Sequence, residues 1–117
     1  MSKRDLDLLL DDILECCHKI KFYTIGYTFE DFLNDDKTVD AVVRNFITIC
    51  EVASNLDADF KSTNGQIDWK KIKNFRNRMV HDYIGTDYEV VWDIILNHID
   101  ELEFQMQELI KNYKTNE

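Results

Sequence analysis

A chain of 117 residues with no proline, three glycines and a net charge of −9 is suited to one acidic domain of long helices. Its 44% apolar and 32% charged residues exclude a disordered polymer, and no stretch approaches the ~18 apolar residues of a membrane span. The charge also excludes avid polyanion binding over the whole surface.

In chain order, Ser2 with Asp5 three residues later opens the first helix as a capping-box-like start, and Leu6, Leu9, Ile13, Cys17 and Ile20 recur at helical spacing. Asp7, Asp11, Asp12 and Glu15 form a solvated acidic face beside them. The N-terminus turns acidic after a short apolar run, so no signal peptide is expected. Gly26 interrupts the pattern, and Thr28 with Asp31 caps a short helical piece. A second long helix begins near Asp36 to Thr38 and buries Val39, Val42, Val43, Phe46, Ile49, Cys50, Ala53 and Leu56. The run LDADFKSTNGQ breaks it. Asp68 caps a third helix expected to reach about Ile84, with Gly85 in the left-handed position beyond its end. Thr86 and Glu89 form a further capping box. The last helix runs toward Tyr113 through Val91, Ile94, Ile95, His98, Leu102, Met106 and Leu109.

With no convincing strand, the class is all-α: an antiparallel four-helix bundle with an extra short helix. Residues 1–117 read as a single domain, with 111–117 as a fraying tail. The cysteines are Cys16, Cys17 and Cys50; an odd count with two adjacent does not make a disulfide framework, and reduced thiols in a cytoplasmic protein are expected. The run CCHK supplies no metal set, because adjacent helical residues point about 100° apart and no Cys-x-x-Cys partner exists. No metal and no cofactor is expected.

The unusual stretch is FRNRMVHDY, Phe75 to Tyr83. It ends a window, residues 70–78, holding Lys70, Lys71, Lys73, Arg76 and Arg78 and no acidic residue. On a wheel of about 100° per residue, Arg76 falls inside the apolar arc of Trp69, Ile72, Phe75, Met79, Val80 and Tyr83, with Asn77 and His81 paired four residues apart on its flank. A buried arginine needs a partner, and Glu51 on the preceding long helix is the plausible one. The same pattern is open to a plain structural reading: an ion-paired arginine, a tyrosine at the core rim, and a surface Asn/His pair. His98 reads as a satisfied core or interface histidine, and His18 as exposed.

RNRMVHDY resembles the R-x₄-H-x-Y motif of HEPN-domain proteins, and most closely the HepT-type toxins paired with a minimal nucleotidyltransferase (MNT) antitoxin. DAVVRNFITICEVASNL (residues 40–56), IDWKKIKNFRNRMVHDYIGTDYEVVWDII (67–95) and EDFLND (30–35) are similar to further family segments, so the resemblance extends over residues 30–95. One departure is Cys50-Glu51-Val52, where the family carries Gly-Glu-Ala.

The resemblance implies a homodimeric HEPN-like bundle whose motif helices line a shared cleft. It implies a metal-independent endoribonuclease toxin that an MNT-type nucleotidyltransferase neutralises, in part by transferring AMP to Tyr83. Arg76 and His81 are then catalytic, Asn77 and Glu51 supporting, and Lys70, Lys73 and Arg78 candidate contacts to RNA, with tRNA or mRNA as substrate. Histidine suits the proton transfers and arginine the phosphate. Two other functions stay open: a non-catalytic partner that holds nucleotide or substrate for a nucleotidyltransferase, and a dimeric helical scaffold.

Overall fold

The computed structural model describes the backbone of residues 1–81 and 85–115, and the side chains of all of these except 81, 114 and 115. Its first helix, α1 (Lys3–Thr24), starts at the Ser2 cap, whose hydroxyl accepts from the Asp5 amide. It turns at Gly26, whose φ of 76° is one that L side chains rarely adopt. Helix α2 (Phe29–Leu33) carries the full Thr28/Asp31 capping box. Helix α3 (Asp36–Asn55) is capped by Asp35, and α4 (Ala58–Thr63) follows inside the stretch expected to be loop. Helix α5 (Trp69–Met79) starts at Asp68, whose carboxylate accepts from the Lys71 amide.

Helix α5 stops five residues short of the expected Ile84. Val80 is already extended (φ −119°, ψ 123°), and β1 (Val80–His81) pairs antiparallel with β2 (Gly85–Thr86). The Asp87 amide closes the hairpin onto the Met79 carbonyl at 2.7 Å. Gly85, with φ +90°, therefore serves the hairpin and not a helix C-terminus. The expectation of no strand is corrected by this one short ladder. A β-branched valine and a positive-φ glycine favour that local exit from the helix over another turn.

Helix α6 (Tyr88–Asn97) is capped by Asp87, which accepts from the Val90 amide, and not by the expected Thr86/Glu89 box. The expected single last helix is two: α6 ends at His98 (φ −129°) and α7 (Ile99–Thr115) continues beyond it. Tyr113 packs edge-on against Phe60 at 6.2 Å, so helix extends into the stretch read as a tail.

Four long members pack as a ring: α1 on α3, α3 on α5, α5 on α6, and α7 back on α1. The α-amino group of Met1 lies 3.3 Å from Asp57 beyond the end of α3, which makes α1 and α3 antiparallel. The all-α bundle is thus confirmed, with the broken α6–α7 pair as its fourth rod. Ile13, Ile20, Phe46, Ile49, Met79, Ile94 and Met106 fill its centre. Helix α2 seals one side by stacking Phe29 and Phe32 on Trp92, at 6.1 and 5.3 Å. Among the described residues no helix is long and apolar enough to cross a membrane.

Candidate functional site

The conspicuous run is laid out over two kinds of backbone. Arg76, Asn77 and Arg78 occupy the last turn of α5, and His81 follows on β1, where its backbone pairs with Gly85. The α5 helix buries Ile72, Phe75 and Met79, at steps of three and four. Arg76 lies beside that stripe and is exposed, as are Asn77, Lys70 and Lys73. The expected burial of Arg76 is therefore corrected. Val80 had widened the apolar arc toward Arg76, but it lies on β1 and not on the helix, which ends at Met79. Nor is Arg76 ion-paired with Glu51: among the described residues it makes no ion pair, and Glu51 is itself exposed. The side chain of His81 and all of Tyr83 lie outside the described residues.

What sits against Arg76 is Cys50. This thiol is buried at the α3–α5 contact, against the Arg76 backbone amide and within the field of its positive charge. Burial pushes Cys50 up to about 11, with the Arg76 backbone amide and charge pulling the other way. Cys16 and Cys17 are likewise free and buried, and burial raises Cys17 to about 12. All three are thus poor nucleophiles.

Arg78 turns away from Arg76 and meets Asp93 of α6 at 3.4 Å, so its charge is partly offset. The Asp93 carboxyl is held below its ordinary value, first by the Asn97 side-chain amide and then by Arg78. Glu51 lines a groove of about 520 Å³ between the outer face of α3 and the second strand of the hairpin. Asp40, Arg44, Thr48, Thr86 and Tyr88 share its walls. Arg44 was not singled out by the sequence, where it is an ordinary exposed helix position. Its signal is its place two turns before Glu51 on one helix face. Lys70 and Lys73 open onto a different groove, between α3 and the start of α5.

His18 is exposed, with its Nε2 3.4 Å from Glu103. His98 is not the satisfied histidine expected. Its ring lies 5.5 Å from Phe75, and its buried Nδ1 has no hydrogen-bond partner among the described residues. No group of three or more metal-ligating side chains is gathered among the described residues.

The surface so assembled is a cationic helix end leading into a histidine-bearing hairpin. The chain matches the family model described as ribonuclease HepT-like over residues 13–109, which include the whole run from Arg76 to Tyr83. It belongs to the HepT-like ribonuclease family. A Methanocaldococcus jannaschii protein named "Putative RNase" is 38% identical over 96% of this chain and 93% of its own length. A Caldanaerobacter subterraneus protein of the same name is 34% identical over 90% and 94%. A Thermococcus cleftensis protein named "Probable ribonuclease HepT" is 35% identical over 93% and 99%. No solved structure matches the chain. For a HepT-like chain the exposed Arg76 makes chemical sense: an always-charged planar fork facing solvent is available to phosphate oxygens, whereas a buried, carboxylate-paired one is not.

Proposed function

We propose that this HepT-like chain is a metal-independent endoribonuclease that works as a two-fold homodimer. The observation that carries the reading is the exposed Arg76 guanidinium, without an ion pair among the described residues, at the end of α5 and five residues before His81 on the hairpin. In the proposed reaction the ribose 2′-oxygen attacks the adjacent phosphorus and the bond to the 5′-oxygen breaks. The products are a 2′,3′-cyclic phosphate and a 5′-hydroxyl. One His81 takes the 2′-hydroxyl proton, and His81 of the second subunit protonates the departing 5′-oxygen. Arg76 neutralises the crowded phosphorane, and Asn77 orients the histidine or the phosphate. Glu51 supports the site from the neighbouring wall. The half-buried Val43 and Ile47 on the outer face of α3, beside the hairpin, support an interface there.

The biological role we propose is the toxin of a toxin–antitoxin pair. Its partner is an MNT-type nucleotidyltransferase. The Tyr83 hydroxyl attacks the α-phosphorus of ATP, releasing pyrophosphate and a proton. Bound AMP then places bulk and negative charge where substrate phosphate would lie. With a net charge of −9, binding is selective and salt-sensitive, as for a structured RNA such as tRNA or a segment of mRNA.

The deciding experiment is RNA cleavage by parent and His81→Ala in excess EDTA, with analysis of product ends. Cleavage by the parent alone, leaving 2′,3′-cyclic phosphates, supports the reading. Equal cleavage by both removes His81 from the chemistry. No cleavage by folded, unmodified parent favours a non-catalytic partner of the nucleotidyltransferase. Mass spectrometry of Tyr83 after incubation with the cognate nucleotidyltransferase and ATP tests the modification.

A further inference from the structure

On an acidic molecule, one groove is wholly cationic. It lies between the C-terminal end of α3, the last turn of α4 and the first turns of α5, with a volume of about 260 Å³. Its walls are Ala53, Ser54, Lys61, Trp69, Lys70 and Lys73: three ammonium groups and no carboxylate. Among the described residues none of the three lysines is ion-paired. On a chain with 23 acidic residues against 14 basic ones, three neighbouring cations left without a counter-charge call for an anion from outside.

The groove is built from fixed parts. Lys61 is half-buried and donates to the Ala53 carbonyl at 3.2 Å, an oxygen at the end of α3 that also accepts from the Leu56 cap amide at 3.4 Å. That bond uses one of its three protons and holds the ammonium in place. Trp69 is pinned by its indole N–H to the Asn64 carbonyl at 3.1 Å and by Phe60 at 6.4 Å. Its half-exposed ring gives the groove a flat apolar wall, while Lys70 and Lys73 reach in from α5.

The position follows from the helix pairing. Cys50 of α3 lies against Arg76 of α5, so Ala53 and Ser54, one turn later on α3, lie opposite the turn of α5 that precedes Arg76. The groove is therefore about one helical turn, roughly 5 Å, from the arginine. Lys73 and Arg76 are consecutive cations along one helix edge.

We infer that this groove is a substrate subsite: it seats a phosphodiester of the RNA strand adjacent to the one cleaved, with the neighbouring nucleoside against Trp69. This rests on the ribonuclease reading and adds to it a second, non-reacting contact. Lys61, Lys70 and Lys73 take phosphate oxygens, and the Trp69 ring offers a sequence-tolerant face. Binding at a non-reacting segment helps hold the scissile bond at Arg76.

The probe is a fluorescein-labelled, 2′-deoxy ten-nucleotide single strand, which lacks the attacking hydroxyl and reports binding without cleavage. Its affinity is measured against salt for the parent, Lys61→Gln and Ser54→Glu. Ser54 is exposed, so its variant places a negative charge in the groove without disturbing the core. The expected result is roughly tenfold weaker binding for each variant and a salt slope lowered by about one for Lys61→Gln. With RNA substrates, KM for a ten-nucleotide strand rises several times more than KM for a dinucleotide. Binding and KM ratios equal to those of the parent in both variants overturn the subsite. A groove that serves free nucleotide instead is revealed if the variants weaken ATP binding but not the strand. If the parent binds the strand but cleaves no RNA, the ribonuclease reading fails while the subsite is still judged by the variants.

Discussion

The Cys50 thiol of α3 donates to the Ile72 carbonyl of α5 at 3.3 Å, directly beneath Arg76. That carbonyl sits one turn before Arg76, so the sulfur inserts at the α5 ladder step that precedes the arginine. Where the related Gly-Glu-Ala pattern has glycine, this chain fills the contact with a buried, hydrogen-bonded side chain. Cys50→Ala should lose roughly 1–2 kcal/mol in urea unfolding through lost packing and the lost bond. Cys50→Gly should lose about 1 kcal/mol more through helix propensity. If both variants match the parent, the sulfur is not a fastener. With Cys50 pushed up to about 11, thiol reagents at pH 8 should label it only as fast as the protein opens. Labelling at the rate of a free thiol would contradict its burial.

Arg76 separates a catalytic surface from a scaffold. It is exposed and unpaired among the described residues, so Arg76→Ala should change stability by no more than about 0.5 kcal/mol. The same variant should lower RNA cleavage by roughly 100-fold or more, with Arg76→Lys between the two because it keeps the charge but not the fork. A loss of several kcal/mol would instead mark a structural ion pair.

Asp35 ties three segments together. Its carboxylate accepts the Tyr27 hydroxyl at 2.6 Å, the Thr38 hydroxyl at 2.7 Å and the Thr38 amide at 3.2 Å. The Tyr27 hydroxyl first, and then Thr38, hold its pKa below the ordinary value. A depressed carboxylate stabilises the fold above its unfolded pKa, about 3.9, and that contribution disappears as pH falls through the lowered value. The urea midpoint of the parent should therefore exceed that of Asp35→Asn at pH 6, and the gap should close below about pH 4. Asparagine also caps helices well, so the comparison reports mainly on the charge. A gap that persists unchanged to pH 2 would rule out this linkage.

His98 breaks the last rod of the bundle while keeping a buried Nδ1 without a partner among the described residues. Leucine there would keep the packing on Phe75 and remove the unpaired nitrogen. His98→Leu should leave stability unchanged or raise it by about 1 kcal/mol in urea unfolding. A clear loss would mean that the nitrogen is satisfied in solution, by water for example.

The helical class was legible because its signals are local. The Ser2, Thr28 and Asp68 caps sit at the residues expected, and the apolar spacing of α1 and α3 agrees with most of their buried faces, although Leu10 is buried where Leu9 was expected and Val43 is only half-buried. The free cysteines follow from their number and spacing, and the family from the run Arg76–Tyr83 with its flanks. Where a local signal had a competitor, it misled. Thr86 and Asp87 are both good caps, and the hairpin uses the first as a strand residue, leaving the cap to the second. Val80 continues a helical apolar period but is β-branched, and Gly85 with Asp87 draws it into a ladder. The break at His98 and the short α4 depend on packing against other segments, which periodicity does not report.

By itself, then, the sequence determined an acidic all-α chain of the HepT-like ribonuclease family, because composition, caps and motif are properties of neighbouring residues. Only the tertiary structure decided that Arg76 faces solvent and not the core, that Cys50 lies beneath it, and that Lys61, Lys70 and Lys73 gather in one groove. These are relations between α3, α4 and α5, residues far apart in the chain brought together when the helices bury their apolar faces against one another.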